Sequence, residues 1–307
     1  MSVDLRKAAV DYLRDRRARG YVLADEDCML ARFLDGLAAH GQTRITVASA
    51  VAFANERPGQ TPGTRARKLR VVRHLAAHVH ALDPACAELI PAGMIPSKTP
   101  RQNPYLYSDE QIVALMDHAS TLSPAMFAAS MRTLIGLLAA TGMRSGEAGG
   151  LDVEDLDAEQ ATLRVRGKNQ RVRVLALHPT TVQALLDYLK TRQALAPPTG
   201  PLLVGAKGGR LNMNTARAAF RTLTRDCELP VPPGCRAPRL HDARHVFAVN
   251  TLLDAHRDGA DIDARIATLA NYLGHADPSH TYYYLTASPQ LMQTVRDRLA
   301  AVKETIR

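Results

Sequence analysis

The second half of the 307-residue sequence contains arginines, histidines, a lysine and tyrosines that together could transfer a phosphoryl group. An arginine guanidinium holds a phosphate through forked hydrogen bonds, and a lysine can give a proton to a departing hydroxyl. A tyrosine hydroxyl can attack phosphorus and form a covalent intermediate. Because side chains supply the cations, we expect neither a metal site nor a cofactor. The residues are Arg144, Lys168, His241, Arg244, His275 and the three tyrosines Tyr282, Tyr283 and Tyr284.

Each of these motifs also has an ordinary structural explanation. In TGMRSGE, Gly142 could end a helix, and Arg144 could form a surface ion pair with Glu147 one turn later. A lysine on a turn, such as Lys168, is usually solvated. His241 in LHDARHVFA could be a core histidine that a backbone carbonyl satisfies. The adjacent tyrosines could pack a short helix, although all three cannot face one core.

The cysteines and histidines do not follow a metal-binding pattern. The gap of seven residues between Cys227 and Cys235 is unlike a zinc knuckle, and Arg244, between His241 and His245, would repel a cation. The four cysteines of the chain never form a CxxC pair. In a chain of this length, scattered cysteines favour a reducing compartment over a disulfide scaffold, and we expect a cytoplasmic protein.

Composition narrows the classes of function. Lys and Arg total 39 against 30 Asp and Glu, a net charge of +9, which favours a polyanionic partner such as nucleic acid or a membrane surface. The longest strongly apolar run, TLIGLLAATGM, is far shorter than the roughly 20 residues that span a bilayer. The N-terminal residues carry charges throughout, so no signal peptide is expected.

The chain is predicted to contain two domains. Residues 1–95 show apolar residues at helical spacing, interrupted by a Pro/Gly turn at 56–64. A proline-rich stretch without helical period follows, and we take 96–105 as a linker to a second domain at 106–307. The helix after the turn is amphipathic, and its apolar face contains Leu69, Val72, Leu75 and Val79.

The second domain is predicted to be mainly α-helical with a small antiparallel β-sheet. Residues 161–177 alternate apolar and polar around Lys168, which indicates a β-hairpin with this lysine at its tip. Ser108 with Gln111 forms the pattern of a capping box at a helix start, and Gly142 can close a helix. Further helices are predicted at 180–193, 213–226, 241–255, 262–274 and 288–304.

In these motifs the sequence resembles the tyrosine recombinases, also called the phage integrase family. The resemblance spans about 106–304 and lies in TGMRSGE, the hairpin Lys168, HDAR followed by HVFA, LGH, and a tyrosine nine residues after that histidine. Residues 1–95 are similar, more loosely, to the family's helical core-binding (SAM-like) domain. The resemblance implies a site-specific recombinase that cleaves and rejoins DNA through a 3′-phosphotyrosyl bond, without metal or ATP.

The resemblance also implies a role for each matching residue. Arg144 and Arg244 would clamp the scissile phosphate and stabilise its charge in the transition state, and His275 would add a further donor. His241 would act in proton transfer near the nucleophile. Lys168 would protonate the leaving 5′-oxygen.

The nucleophile implied by the resemblance is Tyr284. The family's tyrosine typically lies nine residues after the LGH histidine, and 275 plus 9 is 284; Tyr282 and Tyr283 remain alternatives. Glu147 would orient the site rather than react. Asn169 stands where the family often has a turn glycine, and asparagine can adopt the same conformation.

Double-stranded DNA with a specific recombination site is the partner that the resemblance implies, with no membrane. The two domains would grip opposite faces of the duplex as a C-shaped clamp. Four protomers would assemble on two DNA sites, and the free protein would be a monomer or weak oligomer. In the helical domain a basic stretch is expected to contact DNA, although it could instead be a solvated helix face: Arg65, Arg67, Lys68, Arg70 and Arg73.

Two other functions fit the same residues. A type IB topoisomerase has a similar site but relaxes supercoils without a specific sequence. A catalytically silent DNA-binding regulator would keep the fold and lose the reaction.

Overall fold

The computed structural model describes residues 3–97, 103–167 and 171–274. The chain divides into two compact units, Met1–Arg101 and Gln102–Arg307, which we call the first and the second unit. This division falls inside the 96–105 segment that the sequence marks as a linker. Each unit has its own core of buried apolar side chains.

In its described residues the first unit contains four helices around one apolar core: α1 (Leu5–Ala18), α2 (Ala24–Ala39), α3 (Val47–Asn55) and α4 (Pro62–Leu82). The hydroxyl of Thr61 accepts the backbone N–H of Thr64 and caps α4, and Pro62 fits the first turn because its missing N–H would have no partner there. The predicted apolar face of α4 is confirmed, since all four of its residues are buried: Leu69, Val72, Leu75 and Val79.

The second unit, as far as it is described, is mainly helical with one small antiparallel sheet, as predicted. No helix in the described ranges is long and apolar enough to cross a membrane. The helices are α5 (Asp109–Ala119), α6 (Ala125–Thr141), α7 (Ser145–Gly149), a 3₁₀ turn (Val153–Asp155), α8 (Pro179–Arg192), α9 (Met213–Asp226), α10 (Asp242–Arg257) and α11 (Ile262–Leu273). The strands are β1 (Leu156–Asp157), β2 (Thr162–Arg166) and β3 (Val172–Ala176).

The helix boundaries that carry the motifs follow local sequence signals. Ser108 and Gln111 form the predicted capping box at the start of α5. Gly142 ends α6 in the left-handed conformation, with φ of +60°, and its N–H bonds to the carbonyl of Leu138. The chain therefore turns sharply at Gly142, and Arg144 follows directly at the start of α7.

The predicted hairpin is confirmed as β2 and β3, which pair with Val165 opposite Arg173. Leu163, Val165 and Leu175 are fully buried on one face of the sheet. β1 adds a third antiparallel strand beside β2. Its two residues are too few to show an alternating pattern, so the sequence did not reveal it.

Gly142→Ala is expected to destabilise the second unit far more than Gly259→Ala. Both glycines have positive φ, +60° and +69°, which costs an L-residue roughly 1–2 kcal/mol. A Cβ at position 142 would lie 2.5 Å from Cδ1 of Phe247, whereas nothing lies within 4 Å of a Cβ at position 259. Overpacking should add about 1–3 kcal/mol at position 142 alone.

The free energy of unfolding in urea measures both losses. If both variants lose the same free energy of unfolding, the close approach to Phe247 does not contribute to the loss.

Candidate active site

Arg144 and Glu147 form a tight unit at the start of α7. Nη1 of Arg144 donates to Oε1 of Glu147 at 2.9 Å, and the backbone N–H of Arg144 donates to Oε2 at 2.8 Å. The Glu147 side chain is only 6% exposed, whereas that of Arg144 is 37% exposed. Glu147 therefore fixes the arginine at its base and leaves part of the guanidinium open to a ligand.

Arg244 lies in the first turn of α10 and is 2% exposed. Its Nη1 donates to the carbonyl of Gly142 at 3.1 Å, and its Nη2 donates to the carbonyl of Leu273 at 2.7 Å. These bonds join the end of α6 to the end of α11 through one buried side chain. Such charge-assisted bonds are stronger than neutral ones, and the low surrounding dielectric increases their weight.

The two arginines converge on the turn that follows α11. Nη2 of Arg144 lies 3.5 Å from the carbonyl oxygen of Gly274, the residue after the Leu273 that Arg244 contacts. Gly274 adopts φ of +67° and ends the helix. The next residue in the sequence is His275. The structure therefore brings the motifs TGMRSGE, HDAR and LGH together in space.

His241 precedes α10, and its ring stands edge-on to that of His245 at 5.5 Å. Burial and the neighbouring charge of Arg244 lower the pKa of His241 to about 4. Burial and the adjacent His241 lower the pKa of His245 to about 3. His241 is therefore neutral at physiological pH, which is the form that can accept a proton.

Asp242 is a site residue that sequence reasoning missed. It is fully buried, and its carboxylate accepts from Nη2 of Arg236 at 2.9 Å and from the backbone N–H of Arg239 at 2.9 Å. The hydroxyl of Tyr107 donates to the carbonyl of Arg239 at 2.9 Å. These bonds anchor the segment that leads into α10 and hence the position of His241. An aspartate inside the HDAR motif, shortly after two arginines, was the available signal.

Arg173 on β3 is the second missed residue. Its Nη2 donates to Oε2 of Glu147 at 2.8 Å and its Nη1 to Oε1 at 3.1 Å. Burial alone would raise the pKa of Glu147, but hydrogen bonds from Arg173 and from the Arg144 backbone outweigh it and lower this pKa to about 2. Glu147 is therefore a permanent anion between two arginines. Apolar–polar alternation in 171–174 would put Val172 and Val174 inward, but both are exposed and Arg173 shares the buried face with Leu175, so its role carried no sequence signal.

Several predicted residues lie outside the described residues: Lys168, His275, Tyr284 and its alternatives Tyr282 and Tyr283. Gly167, directly before Lys168, is described, and its N–H donates to the carbonyl of Arg171 at 2.7 Å across the hairpin. Within the described ranges no three His, Cys, Asp or Glu side chains are grouped as a metal site.

The basic stretch of α4 divides into buried and exposed side chains, and Lys68 is a correction. Lys68 is only 4% exposed, and its Nζ donates to Glu56 at 2.9 Å and to the carbonyl of Phe53 at 3.4 Å. The expectation that it contacts DNA was wrong, because its ammonium is directed into the first unit, where Glu56 neutralises it. Helical periodicity was the available signal, because Lys68 stands four, seven and eleven residues before Val72, Leu75 and Val79 and so falls on their face of α4.

The arginines of the same stretch have different surroundings. Arg67 pairs with Asp25 at 2.9 Å, and Nη1 of Arg65 lies 3.3 Å from the side-chain oxygen of Asn55. Arg70 and Arg73 make no ion pair within the described residues. Together with Arg67 they line a cleft of about 520 Å³ against residues 91–97.

The two buried histidines should make the second unit sensitive to mild acid. Both folded-state pKa values lie below the ordinary 6.5, so the unfolded chain binds more protons between pH 6.5 and 4, and stability falls as the pH drops through that window. A histidine with a pKa of about 4 accounts for about 3 kcal/mol of this loss. His245→Gln should flatten the dependence of the urea-unfolding free energy on pH.

The control is His178→Asn, which replaces an exposed histidine while keeping the acceptor that caps α8. It should follow the wild-type curve. An unchanged acid dependence in His245→Gln would remove this histidine as a cause.

Comparison with known proteins agrees with this geometry. The sequence model of the phage integrase family matches residues 106–290. An integrase/recombinase of Sinorhizobium fredii (strain NBRC 101917 / NGR234) is 34% identical over 303 residues, which cover 96% of each chain. A tyrosine recombinase XerC of Pseudomonas aeruginosa is 29% identical and covers 78% of this chain and 74% of its own.

A likeness of fold comes from a solved structure. The crystal structure of a lambda integrase tetramer bound to a Holliday junction has a TM-score of 0.58 at 15% identity, over 92% of this chain and 77% of that one. The predicted family is confirmed, because the family match covers more than half of the sequence and the relative from Sinorhizobium fredii covers nearly all of it. The chain belongs to the phage integrase family of tyrosine recombinases.

Proposed function

We propose that this tyrosine recombinase binds a specific duplex DNA site and exchanges strands through a covalent 3′-phosphotyrosyl intermediate. The observation that carries the proposal is the convergence of Arg144 and Arg244 on the Leu273–Gly274 turn, directly before His275 in the sequence. Two guanidinium groups near one turn provide donors for the two non-bridging oxygens of a phosphodiester.

In the proposed reaction the hydroxyl oxygen of Tyr284 attacks the scissile phosphorus. The bond between phosphorus and the 5′-oxygen breaks, and Lys168 gives its proton to that oxygen. His241, neutral at physiological pH, accepts the proton of the tyrosine. The arginines stabilise the charge that develops on the phosphate in the transition state.

Rejoining reverses these steps. A 5′-hydroxyl from the partner strand attacks the phosphotyrosyl bond and releases Tyr284. Because the phosphotyrosyl linkage retains the energy of the phosphodiester, the exchange consumes no ATP. Each proton that moves in cleavage returns in religation, so the residues end in their starting states.

The first unit would contribute phosphate contacts. Arg70 and Arg73 line the cleft on α4 without an ion pair among the described residues, which supports a role in binding an anion. Arg67 lines the same cleft but already pairs with Asp25. Lys68 is left out of these phosphate contacts, because its ammonium is buried and paired with Glu56.

Assembly into four protomers on two DNA sites is part of the proposal. The related lambda integrase is a tetramer on a Holliday junction in its crystal structure. The predicted helix 288–304 carries an apolar stripe that could pack on a neighbouring subunit or on its own domain. This helix lies outside the described residues.

Tyr284→Phe should abolish covalent adduct formation while leaving DNA binding intact. Phenylalanine keeps the ring and lacks the attacking oxygen, so only the chemical step is lost. The substrate is a randomised set of nicked duplexes incubated with the protein, from which denaturation-resistant adducts are recovered and sequenced. The same recovered site, in a gel shift, measures binding.

Tyr282→Phe and Tyr283→Phe serve as matched controls and should retain the adduct. An adduct that persists in Tyr284→Phe and disappears in one control would move the nucleophile to that tyrosine. A protein that retains duplexes of the randomised set in a gel shift but forms no adduct would be a regulator. Relaxation of a plasmid that lacks the recovered site would indicate a topoisomerase.

Arg70→Gln with Arg73→Gln should weaken DNA binding and flatten its salt dependence. Each lost phosphate contact reduces the slope of log K against log salt by about one, because fewer counterions are released. Arg6→Gln with Arg17→Gln is the control, since it removes the same two charges from the same unit but from pairs with Asp35 at 2.7 Å and Asp27 at 2.6 Å. Equal slopes for Arg70→Gln/Arg73→Gln and the wild type would show that the cleft does not contact DNA.

A further inference from the structure

We propose that Arg173 is a positioning residue that holds three parts of the catalytic machinery in register. They are Arg144 with Glu147, the Tyr272–Gly274 turn before His275, and the strand end before Lys168. Arg173 would not touch the substrate and would act through the groups it contacts. The inference rests on the proposed function, because it concerns the same reaction.

The first contact of Arg173 is with Glu147. Both guanidinium Nη atoms donate to the carboxylate, at 2.8 and 3.1 Å, and both side chains are largely buried, at 15% and 6% exposure. The same Oε1 also accepts from Arg144. If Arg173 is removed, Glu147 keeps one cationic partner instead of two, and Arg144 loses the rigid base on which it rests.

The second contact is with the turn after α11. Nε of Arg173 donates to the carbonyl of Tyr272 at 2.9 Å. A Cβ on Gly274 would lie 3.1 Å from Nη1 and 3.3 Å from Cζ of Arg173, so the bare backbone of the glycine rests against the guanidinium. Arg173 therefore rests against the same turn whose Leu273 and Gly274 carbonyls accept from Arg244 and Arg144.

The third contact is with the hairpin itself. Arg173 stands opposite Val165 in the β2–β3 pair, so its side chain lies on the same face of the hairpin as the buried Val165. A Cβ on Gly167 would lie 3.5 Å from Nη1 of Arg173 and 3.5 Å from Oε1 of Glu147. The residue before Lys168 therefore borders the same ion pair as the residue before His275.

The Arg173 guanidinium thus lies beside Gly167 and Gly274, which immediately precede Lys168 and His275. It also binds the Glu147 carboxylate, which holds Arg144. The consequence is geometric. A misplacement of about 1 Å at a reacting centre can slow a reaction by about 100-fold.

A matched control exists on the other face of the same sheet. Nε of Arg164 on β2 donates to the buried carboxylate of Asp155 at 3.1 Å, and the Arg164 side chain is 51% exposed. Arg164→Gln also removes an arginine–carboxylate pair from the hairpin, but from a place that touches none of the three motif segments.

The experiment compares Arg173→Gln, Arg164→Gln, Glu147→Gln, Lys168→Ala and the double variant Arg173→Gln/Glu147→Gln. Gel shifts on the recovered site measure DNA binding. The rate of adduct formation at saturating protein, on a nicked duplex of that site, measures the chemical step. A second nicked duplex carries sulfur in place of the leaving 5′-oxygen, because a thiolate departs without a proton.

We expect Arg173→Gln to bind DNA within about twofold of the wild type and to form the adduct about 100-fold more slowly. Sulfur in the leaving position should rescue Lys168→Ala but not Arg173→Gln, because Arg173 positions the phosphate clamp and not only the acid. Arg164→Gln should stay within about threefold of the wild-type rate. In the Glu147→Gln background, Arg173→Gln should cost at least about tenfold less than it does alone, since the two act through one contact.

Three outcomes would overturn the proposal: a wild-type rate in Arg173→Gln, an equal loss in Arg164→Gln, or independent effects of Arg173→Gln and Glu147→Gln. If Arg173→Gln does not fold, Arg173→Lys carries the test. Lysine keeps the charge but cannot make the two bonds to Glu147 and the one to Tyr272 together. We expect Arg173→Lys to form the adduct at least about tenfold more slowly with unchanged DNA binding, and a wild-type rate would refute the proposal.

The wild-type protein separates this inference from the proposed function. If it forms no adduct with any duplex of the randomised set, the proposed function fails. If it forms the adduct and Arg173→Gln is equally fast, only the role of Arg173 fails.

Discussion

The Glu147 carboxylate is shared by two arginines, and the catalytic arrangement depends on this contact. It accepts from the guanidinium and the backbone of Arg144 and from both Nη atoms of Arg173, in a place where its side chain is 6% exposed. An anion so enclosed would be unstable without cations, and cations so close would repel one another without the anion. The carboxylate therefore allows Arg144 to stand beside Arg173 while part of the Arg144 guanidinium stays open to a phosphate.

The same solution recurs at other points of the second unit. Asp242 is fully buried and pairs with Arg236 and Arg239 ahead of α10, while Asp155 pairs with Arg164 and Arg166 on the other face of the sheet. Arg244 differs, because the partners that bind it include the carbonyls of Gly142 and Leu273. These backbone carbonyls hold the guanidinium between the end of α6 and the end of α11.

In the first unit, burial decides what a basic residue does. Lys68 and Arg70 stand two residues apart on α4, so they point about 200° apart around the helix. Lys68 is directed toward Glu56 and Phe53 and supports the core, whereas Arg70 lines an open cleft. A net charge of +9 is thus composed of structural cations and available cations, and only the second kind contributes to binding DNA.

The sequence by itself determined the elements and the chemistry. Local patterns predicted the capping box of Ser108, the helix end at Gly142, the hairpin around Lys168 and the apolar face of α4, because each depends on residues a few positions apart. The spacing of the motifs also identified the family. Only the tertiary structure decided which side chains meet. Arg173 and Glu147 are 26 positions apart, Arg173 and Tyr272 are 99 apart, and Arg244 and Gly142 are 102 apart. No periodicity extends over such distances, so the partners of these arginines follow from how the helices and the sheet pack.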